Sequence, residues 1–309
     1  MTKFDITILG CGSALPTPQH FTTSQVINIH EKLFMLDCGE AAQLLFRNQA
    51  NLRLGKLDHI MISHMHGDHC FGFPGLLSSM TLIGRTTPLH LYMTHDLVPT
   101  MKNIIDFFCH LAFKLVIHTL NPDAPECIYE DNDIRVESVP LNHRVPCCGF
   151  LFKEKQKPNR LLREKTDAYG IPVTHLARIK AGEDYVMPDG TVILNSELTE
   201  PSREHLKSYA FCSDTTFNPN MFEQLMNVDV LYHEATFIDA ESHLAVEAAH
   251  STAKQAAETA IAVNARQLIV GHYSIRYDDD SVVTAEAKAF FPNTIGAYDG
   301  MVFTIPEYE

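Results

Sequence analysis

Runs and alternations of apolar residues divide the chain into short strands and helices. The first residues alternate up to Gly10, two alternating segments form a hairpin, and an apolar run bounded by a turn predicts a buried strand. Strand and helix patterns then follow one another through Thr119, which predicts an α/β fold. The hairpin, the buried strand and a later strand are predicted at Gln25 to Ile29, Lys32 to Leu36, His59 to Ile62 and Ile134 to Pro140.

Polar residues that could bind a metal or take part in catalysis stand at the ends of several predicted strands. His143 follows one strand, Asp214 ends Tyr209 to Thr215, Glu234 ends Val230 to Thr236, and His272 ends the run from Leu268. Ligand sites in α/β folds lie at the carboxyl ends of strands. With the loop that follows His59 to Ile62, five such ends carry His, Asp or Glu, and this convergence indicates a common site.

Two further strand or helix boundaries belong to the same pattern. Asp37 follows the predicted hairpin and serves either as a helix cap or as the carboxylate that orients a metal-binding histidine. Ala253 to Val263 is a strong helix former, for which Ser251 or Thr252 is the expected N-cap. His250 is then placed directly before a helix start.

The loop after the buried strand concentrates potential ligands. It reads Ser63-His64-Met65-His66-Gly67-Asp68-His69, which is a His-x-His-x-Asp-His pattern. Neutral imidazoles and carboxylates are ligands for a borderline divalent cation such as zinc, and the alternative is an exposed polar loop that is merely rich in histidine. Because four side chains this close do not all converge on one ion, the pattern favours two adjacent metals. His64 and His66 would serve one metal, and Asp68 and His69 the other.

The composition is typical of a soluble globular protein. The chain has 309 residues, 45% hydrophobic and 20% charged, with no signal-peptide pattern and no apolar run of membrane-spanning length. The eight cysteines form no CxxC pair and are expected to be reduced, which makes the cytoplasm the default location. Cys147-Cys148 lies near His143 and reads as packing residues or as a further ligand.

Charge distinguishes one segment from the rest of the chain. The formal net charge of -14 argues against broad, nonspecific nucleic-acid binding. From about 152 to 208 the composition changes and becomes locally basic. A sequence typical of a hairpin turn occurs there at Met187 to Thr191. We therefore expect this segment to be an insertion within a single domain spanning 1–309. Its first part is basic and predicts either a contact for a polyanion or a solvated helix face. The basic residues are Lys153, Lys155, Lys157, Arg160, Arg163 and Lys165.

Taken together, the His-x-His-x-Asp-His loop, His143, Asp214 and His272 resemble the metallo-β-lactamase superfamily. Within it, His233-Glu234-Ala235-Thr236, Ala249-His250-Ser251-Thr252 and Gly271-His272-Tyr273-Ser274 resemble the short form of the ribonuclease Z family over almost the full length. That resemblance implies an αββα sandwich of two mixed sheets flanked by helices. It also implies endonucleolytic removal of the 3′ trailer from precursor tRNA by two-metal phosphodiester hydrolysis.

The resemblance assigns a role to individual residues. His250, supported by Glu234, would donate a proton, and Asp68 would orient or deprotonate the attacking water. Two Zn²⁺ per subunit are implied, with Mn²⁺ or Fe²⁺ as other metals that accept such ligands. The insertion corresponds to a tRNA-binding arm, and the family suggests a homodimer. The implied ligands are His64, His66 and His143 for one metal, Asp68, His69 and His272 for the other, and Asp214 as the bridge.

Two other functions fit parts of the sequence. A superfamily hydrolase acting on a small phosphodiester, a lactone or a thioester would share the metal ligands. A noncatalytic RNA-binding protein would share the fold. The complete ligand set argues against the second, because a buried cluster of His and Asp without a cation destabilises the fold.

Overall fold

The computed structural model of the protein describes residues 3–202 and 205–308. It contains two compact units. The first comprises the described parts of Met1–Glu130, Ile134–Lys153 and Lys207–Pro306, and the second comprises those of Asp131–Asp133, Glu154–Leu206 and Glu307–Glu309. No helix within the described residues is both long and apolar enough to cross a membrane.

Eighteen strands occur in the described residues. The first nine are β1 Phe4–Gly10, β2 Ser24–Ile29, β3 Lys32–Leu36, β4 Leu57–Met61, β5 Leu89–Thr94, β6 Leu115–Leu120, β7 Cys127–Glu130, β8 Ile134–Pro140 and β9 Cys148–Glu154. The other nine are β10 Arg160–Leu161, β11 Tyr185–Val186, β12 Val192–Ile193, β13 Thr199–Glu200, β14 Ser208–Cys212, β15 Val230–Glu234, β16 Gln267–Gly271, β17 Thr294–Gly296 and β18 Val302–Thr304.

Helices alternate with these strands. Three short 3₁₀ turns, Leu54–Lys56, Pro219–Met221 and Asp239–Glu241, accompany the α-helices of the described residues. The α-helices are α1 Ala42–Asn48, α2 Gly67–Cys70, α3 Phe73–Leu82, α4 Leu97–Phe108, α5 Arg163–Ala168, α6 Val173–Lys180, α7 Asn195–Leu198, α8 Phe222–Leu225, α9 Ser242–Ala248, α10 Ala253–Ala262 and α11 Ser281–Phe290.

The first unit is built on two seven-stranded mixed sheets. One sheet has the order β18-β1-β2-β3-β4-β5-β6, antiparallel up to β3 and parallel from β3 to β6. The other has the order β17-β16-β15-β14-β9-β8-β7, in which β14 to β17 are parallel and β9 pairs antiparallel with β14. Parallel strands place their carboxyl ends at one edge, where the site residues lie.

Both faces of the central strands are buried, which explains their apolar sequences. On β3, Leu33 and Met35 join a core cluster with residues of α1, α3 and α4, whereas the ring of Phe34 lies 5.4 Å from that of Phe152 on the opposite sheet. This alternation follows from the two-residue period of a strand. On the other sheet, α10 and α11 pack against β15, β16 and β17. The arrangement is therefore helix, sheet, sheet, helix.

The second unit has its own small core. Two short antiparallel pairs, β10 with β13 and β11 with β12, accompany α5, α6 and α7. Leu176, Ile179, Tyr185, Ile193 and Leu198 are buried together with Ile171. Gly190, at a φ of 88°, closes the turn between β11 and β12. Residues 203 and 204 of the predicted arm lie outside the described residues.

The structure confirms the predicted secondary structure around the site. The hairpin is β2 with β3, the buried strand is β4, and Ile134–Pro140 is β8. Thr252 caps α10 in a capping box with Gln255, so Thr252 rather than Ser251 is the N-cap. Asp37 does not cap a helix, since the N-cap of α1 is Ala41. The helix-cap interpretation of Asp37 is therefore wrong.

Two glycines allow the loop around the predicted metal ligands to pack closely on the chain after β3. Gly72 donates its backbone N–H to the carbonyl oxygen of Cys38 at 2.9 Å. A Cβ atom at Gly72 would overlap the carbonyl oxygen of Gly39, and one at Gly39 would overlap the hydroxyl of Thr22. The close approach of these backbones depends on the missing side chains.

We expect Gly72→Ala to lower the free energy of unfolding by about 1–3 kcal/mol, because the backbone of Gly39 cannot move aside freely. Gly55→Ala is the matched control, since a Cβ atom there meets nothing within 4 Å. Urea unfolding of the two variants measures the difference. Equal midpoints for the variants would refute the close-packing explanation.

Candidate metal centre

The predicted ligands meet at the carboxyl ends of strands from both sheets. His64, His66, Asp68 and His69 lie in the loop and short helix after β4, and Asp37 follows β3. From the other sheet come residues after β8, β14 and β16, together with the last residue of β15. These are His143, Asp214, His272 and Glu234.

Four side chains form the first potential metal-binding group, namely His64, His66, His143 and Asp214. His66 Nδ1 lies 2.9 Å from His64 Nε2 and 3.3 Å from His143 Nε2. Asp214 Oδ2 lies 3.5 Å from His64 Nε2 and 3.8 Å from His143 Nε2. Three imidazole nitrogens and one carboxylate oxygen thus face a common point.

The second group is formed by Asp68, His69 and His272, with the other oxygen of Asp214. Asp68 Oδ2 lies 3.4 Å from His69 Nε2 and 3.6 Å from His272 Nε2. Asp214 Oδ1 lies 3.4 Å from His69 Nε2 and 3.2 Å from His272 Nε2. The two oxygens of Asp214 therefore face different groups.

Hydrogen bonds on the outer side of each imidazole determine where its proton resides. His69 Nδ1 donates to Asp37 Oδ2 at 2.8 Å, and His143 Nδ1 donates to the carbonyl oxygen of Ala249 at 2.8 Å. His272 Nδ1 donates to the hydroxyl of Thr236 at 2.9 Å. Because each outer nitrogen carries the proton, each neutral ring presents a lone pair to the centre.

Asp37 links the two halves of the metal loop. Its carboxylate accepts the backbone N–H of Ser63 at 2.7 Å, the hydroxyl of Ser63 at 2.9 Å and the Nδ1–H of His69. The hydroxyl of Ser63 in turn accepts from His64 Nδ1 at 2.9 Å. One fully buried carboxylate therefore orients His69 directly and His64 through Ser63.

Burial keeps most of these imidazoles neutral. It lowers the pKa of His64, and it lowers the pKa of His66 and of His143 to about 4, helped at His66 by the neighbouring His64. Around His69 burial acts in the same direction, but Asp214, Asp68 and Asp37 raise its pKa. A cation that neutralises those carboxylates removes this effect, so neutral imidazoles throughout suit a metal.

The donor set fits two divalent cations. His69 Nε2 and His272 Nε2 are buried, have no hydrogen-bond partner, and point toward the carboxylates of Asp68 and Asp214. Buried nitrogen lone pairs beside carboxylates repel one another unless a cation lies between them. Nitrogen and oxygen ligands of this kind suit zinc, and also manganese or iron.

His250 and Glu234 form a pair beside the ligands. His250 Nδ1 lies 2.9 Å from Glu234 Oε1, and His250 Nε2 faces Asp214 Oδ2 at 4.0 Å. Burial would lower the pKa of His250, but the Glu234 carboxylate outweighs it and raises that pKa to about 9. His250 also falls in a possible ligand group with Asp214 and His272. It can therefore hold a proton or bind a metal.

The carboxylate of Glu234 is fully buried and accepts several hydrogen bonds. It accepts backbone N–H groups of Thr215, Thr236 and Ser251, together with the hydroxyl of Thr236 and the ring of His250, at 2.7–3.1 Å. Hydrogen bonds to the ionised form stabilise it, and the pKa of Glu234 is lowered although burial opposes this. Glu234 is thus a fixed negative charge behind His250.

The six basic residues of the predicted arm differ in their surroundings. Lys153 pairs with Glu137 at 3.3 Å, and Lys155 donates to the carbonyl oxygen of Asp131 at 2.8 Å. Arg160 pairs with Glu200 but keeps 79% of its side chain exposed, and Arg163 and Lys165 are exposed on α5. Lys157 is half-buried in the second unit.

Several functional contacts had little or no signal in the sequence. Cys147 is a buried packing residue whose thiol donates to the carbonyl oxygen of Asp214. Thr236 bridges Glu234 and His272 through one hydroxyl, and Ala14 donates its backbone N–H to Asp68 Oδ2 at 2.8 Å. Backbone groups such as those of Ala14 and Ala249 carry no residue-type signal at all. Arg144, on the rim beside His66 and Asp68, is a further candidate for substrate contact.

Known proteins resemble this chain to different extents. The sequence profile of the family described as Anti-Pycsar protein Apyc1 matches residues 4–106. Ribonuclease Z of Bacteroides fragilis (strain YCH46) is 50% identical over 306 residues, covering 99% of this chain and all of the relative. Human tRNase Z, short form, matches in structure with a TM-score of 0.72 at 25% identity, covering 98% of this chain and 99% of that one.

The fold has a further structural relative. The metallo-beta-lactamase fold protein YhfI from Bacillus subtilis gives a TM-score of 0.68 at 16% identity, covering 98% of this chain and 99% of that one. The expected αββα arrangement of two mixed sheets flanked by helices is therefore confirmed.

We expect Asp37→Asn to weaken zinc binding about 10–100-fold, because the amide cannot accept from all three donors that orient His64 and His69. Asp58→Asn is the matched control, since Asp58, on β4, is half-exposed and pairs with Arg85 and not with a predicted ligand. Competition with a chelator measures zinc affinity in both variants. Unchanged affinity in Asp37→Asn would show that the carboxylate does not act through the ligands.

Proposed function

The chain belongs to the ribonuclease Z family, and from this membership we propose that it removes the 3′ trailer from precursor tRNA. The reaction would leave a 3′-hydroxyl on the tRNA and a 5′-phosphate on the trailer. Identity of 50% to a ribonuclease Z over essentially the whole chain carries the proposal. The convergence of five histidines and two aspartates in one centre supports it.

We assign two zinc ions to the centre, on the ligand sets given by the geometry. His64, His66 and His143 would hold one ion, and Asp68, His69 and His272 the other, with Asp214 between them. When bound, two such cations activate a water molecule as a nucleophile and stabilise negative charge on the phosphoryl oxygens. The rest of the mechanism belongs to the protein's own side chains.

Asp68 is assigned to orient or deprotonate the attacking water. Its Oδ2 faces His69 and His272 and accepts the backbone N–H of Ala14, which fixes the carboxylate in the pocket. Nearby imidazoles lower the pKa of Asp68, although burial opposes them, so the carboxylate is ionised and can accept a hydrogen bond from water.

His250 is assigned to protonate the leaving 3′-oxygen. The oxygen of a ribose alkoxide is a poor leaving group unless it receives a proton. Glu234 favours the imidazolium form and holds Nδ1, which leaves Nε2–H available to the pocket that His250 lines with Asp68 and Arg144. Glu234 therefore acts through His250 and does not contact substrate.

The basic residues of the predicted arm are assigned to the phosphates of the tRNA. Lys155, Lys157, Arg160, Arg163 and Lys165 belong to the second unit, and Lys153 is the last residue of a segment of the first. The side chains of Arg160, Arg163 and Lys165 are the best suited, because they are exposed to solvent, Arg160 even while it pairs with Glu200. Phosphate contacts of this kind supply affinity without sequence recognition.

We also propose a homodimer located in the cytoplasm. Large apolar side chains are exposed on α3 and α4 and directly after α2, and exposed apolar surface of this kind supports self-association. Phe71, Leu82, Phe107 and Phe108 are each more than two-thirds exposed. The eight cysteines are all free, which suits a reducing compartment.

We expect His250→Ala to lower turnover about 10²- to 10⁴-fold while two zinc ions per chain remain bound, because a proton donor and not a ligand is lost. His243→Ala, which changes an exposed histidine of α9, should retain full activity. Cleavage is mapped on two precursor tRNAs, one with an encoded CCA end and one without. Zinc content is measured on the same preparations.

Two outcomes would contradict these assignments. Loss of zinc in His250→Ala would make His250 a ligand. Wild-type activity on small phosphodiesters, with no cut in either precursor, would favour the small-ester hydrolase over tRNA processing.

We expect the triple variant Arg160→Ala, Arg163→Ala and Lys165→Ala to raise KM for precursor tRNA with little change in kcat. The dependence of log affinity on log salt should also flatten by about 2 to 3, at about 0.7–0.9 per lost phosphate contact. A triple alanine variant at Lys102, Lys114 and Lys288 removes equal charge from exposed sites of the first unit. Equal salt dependence of the two variants would refute the arm assignment.

A further inference from the structure

A second cluster of potential ligands lies in the first unit, away from the seven residues of the metal centre. Cys11 follows β1, His20 precedes β2, and Asp299 precedes β18. Cys11 Sγ lies 3.4 Å from His20 Nδ1 and 3.4 Å from Asp299 Oδ1, and His20 Nδ1 lies 3.5 Å from Asp299 Oδ1. Sulfur and nitrogen from the β1–β2 connection and oxygen from the β17–β18 connection form a nearly equilateral triangle.

The size of this triangle matches one face of a tetrahedral metal site. Zinc bonds of about 2.0–2.3 Å at tetrahedral angles place neighbouring ligand atoms about 3.3–3.6 Å apart. A distance of 3.5 Å between His20 Nδ1 and Asp299 Oδ1 is, in contrast, long for a hydrogen bond.

The protons available to the cluster are too few for hydrogen bonds on every side. His20 Nε2 lies 2.7 Å from Asp280 Oδ2, a short contact that places the proton of a neutral ring on Nε2. His20 Nδ1 then presents a lone pair. Asp299 Oδ1 accepts the backbone N–H of Cys11 at 3.2 Å and, as a carboxylate oxygen, keeps a second lone pair. The single thiol proton of Cys11 can serve only one of them. A carboxylate behind a metal-binding imidazole is also the usual arrangement that orients such a ligand.

We propose that Cys11, His20 and Asp299 bind a third divalent transition metal, of which zinc is the best fit, separate from the pair in the catalytic centre. A thiolate ligand selects borderline or soft metals over magnesium and calcium. Cys11 is fully buried, whereas the side chains of His20 and Asp299 are each 18% exposed, so water can reach the cluster as a fourth ligand. Binding would release the thiol proton of Cys11 to solvent.

The competing explanation is a protonated His20 held between two carboxylates. A hydrogen bond that the protonated ring donates to Asp299, together with the charges of Asp299 and Asp280, raises the pKa of His20, although burial opposes this. Burial and the charge of Asp299 raise the pKa of the Cys11 thiol, which would then stay protonated. A cation and an added proton would neutralise the same cluster, so the two explanations predict different metal content.

A metal here would fix a loop that contacts the catalytic residues. The carbonyl oxygen of Cys11 accepts from the backbone N–H of Tyr273, the residue after His272, at 3.1 Å. Ser13 donates its backbone N–H and its hydroxyl to the carbonyl oxygen of Tyr273, and Ala14 donates to Asp68. The proposed ion would therefore support Asp68 and His272 through the backbone.

Cobalt substitution separates the third site from the catalytic pair. The ligands assigned to the pair are nitrogen and oxygen, so a thiolate-to-cobalt charge-transfer absorption in the near ultraviolet would report Cys11 alone. We expect the full-length protein reconstituted with Co²⁺ to show this absorption and to bind three ions per chain. Cys11→Ser should lose the absorption and one ion, and Cys127→Ser, at an exposed cysteine, should keep both.

Asp280→Asn provides a second variant in which all three ligands remain. Removing the carboxylate behind His20 should weaken cobalt binding at this site about 10–100-fold and leave the other two ions in place. Two ions per chain in the wild type with no charge-transfer absorption would overturn the proposal in favour of the imidazolium cluster. An absorption that persists in Cys11→Ser would overturn it as well.

Discussion

The centre depends on the contacts between the buried carboxylate of Asp214 and the surrounding histidines. That carboxylate lies within 3.2–4.0 Å of ring nitrogens from five histidines, which come from both sheets. An isolated ionised carboxylate in such surroundings would be strongly destabilising, and so would five desolvated imidazoles. The carboxylate and the imidazoles stabilise one another only if a positive charge lies between them. The two sheets are thus joined at this edge by electrostatics as much as by their apolar faces.

Backbone strain accumulates around the same centre. Asp37, His272, Ala249 and Ala14 all adopt positive φ angles of 55–64°, a region that residues with a Cβ atom rarely occupy. Each such residue costs on the order of 1–3 kcal/mol, and the surrounding structure must hold it. Asp37 and His272 turn their side chains inward, while Ala249 and Ala14 offer backbone groups to His143 and Asp68. Strain here positions ligands that regular strand ends would point elsewhere.

The sequence predicted the strands and the polar residues at their ends, because both follow from local patterns. The alternation at Ile134–Pro140 and the helix after Thr252 depend on neighbours a few residues away. The role of Asp37 stayed undecided between two interpretations, because it depends on which histidine lies across the fold. The hydrogen bond that His143 Nδ1 donates to a carbonyl oxygen 106 residues away could not be predicted from residue types.

The cluster of Cys11, His20 and Asp299 could not be predicted from the sequence for a similar reason. Cys11 and His20 are nine residues apart, but Asp299 lies 288 residues after Cys11, so the three form no recognisable motif and only the fold brings Asp299 to the other two. The predicted metal loop was conspicuous because its four ligands lie within six consecutive positions. Sites assembled from residues of loops at opposite ends of the chain need the topology of the sheet before they can be recognised.

The hydroxyl of Thr236 gives the centre a property that no ligand list contains. It donates to Glu234 and accepts from His272, so a residue assigned to the metal and the partner of the proton donor share one oxygen atom. Substitutions at the two positions are consequently not independent, and their effects should not add. The roles proposed for His250 and His272 are therefore coupled through this one hydroxyl. Losing one of them disturbs the hydrogen-bond geometry that the other requires.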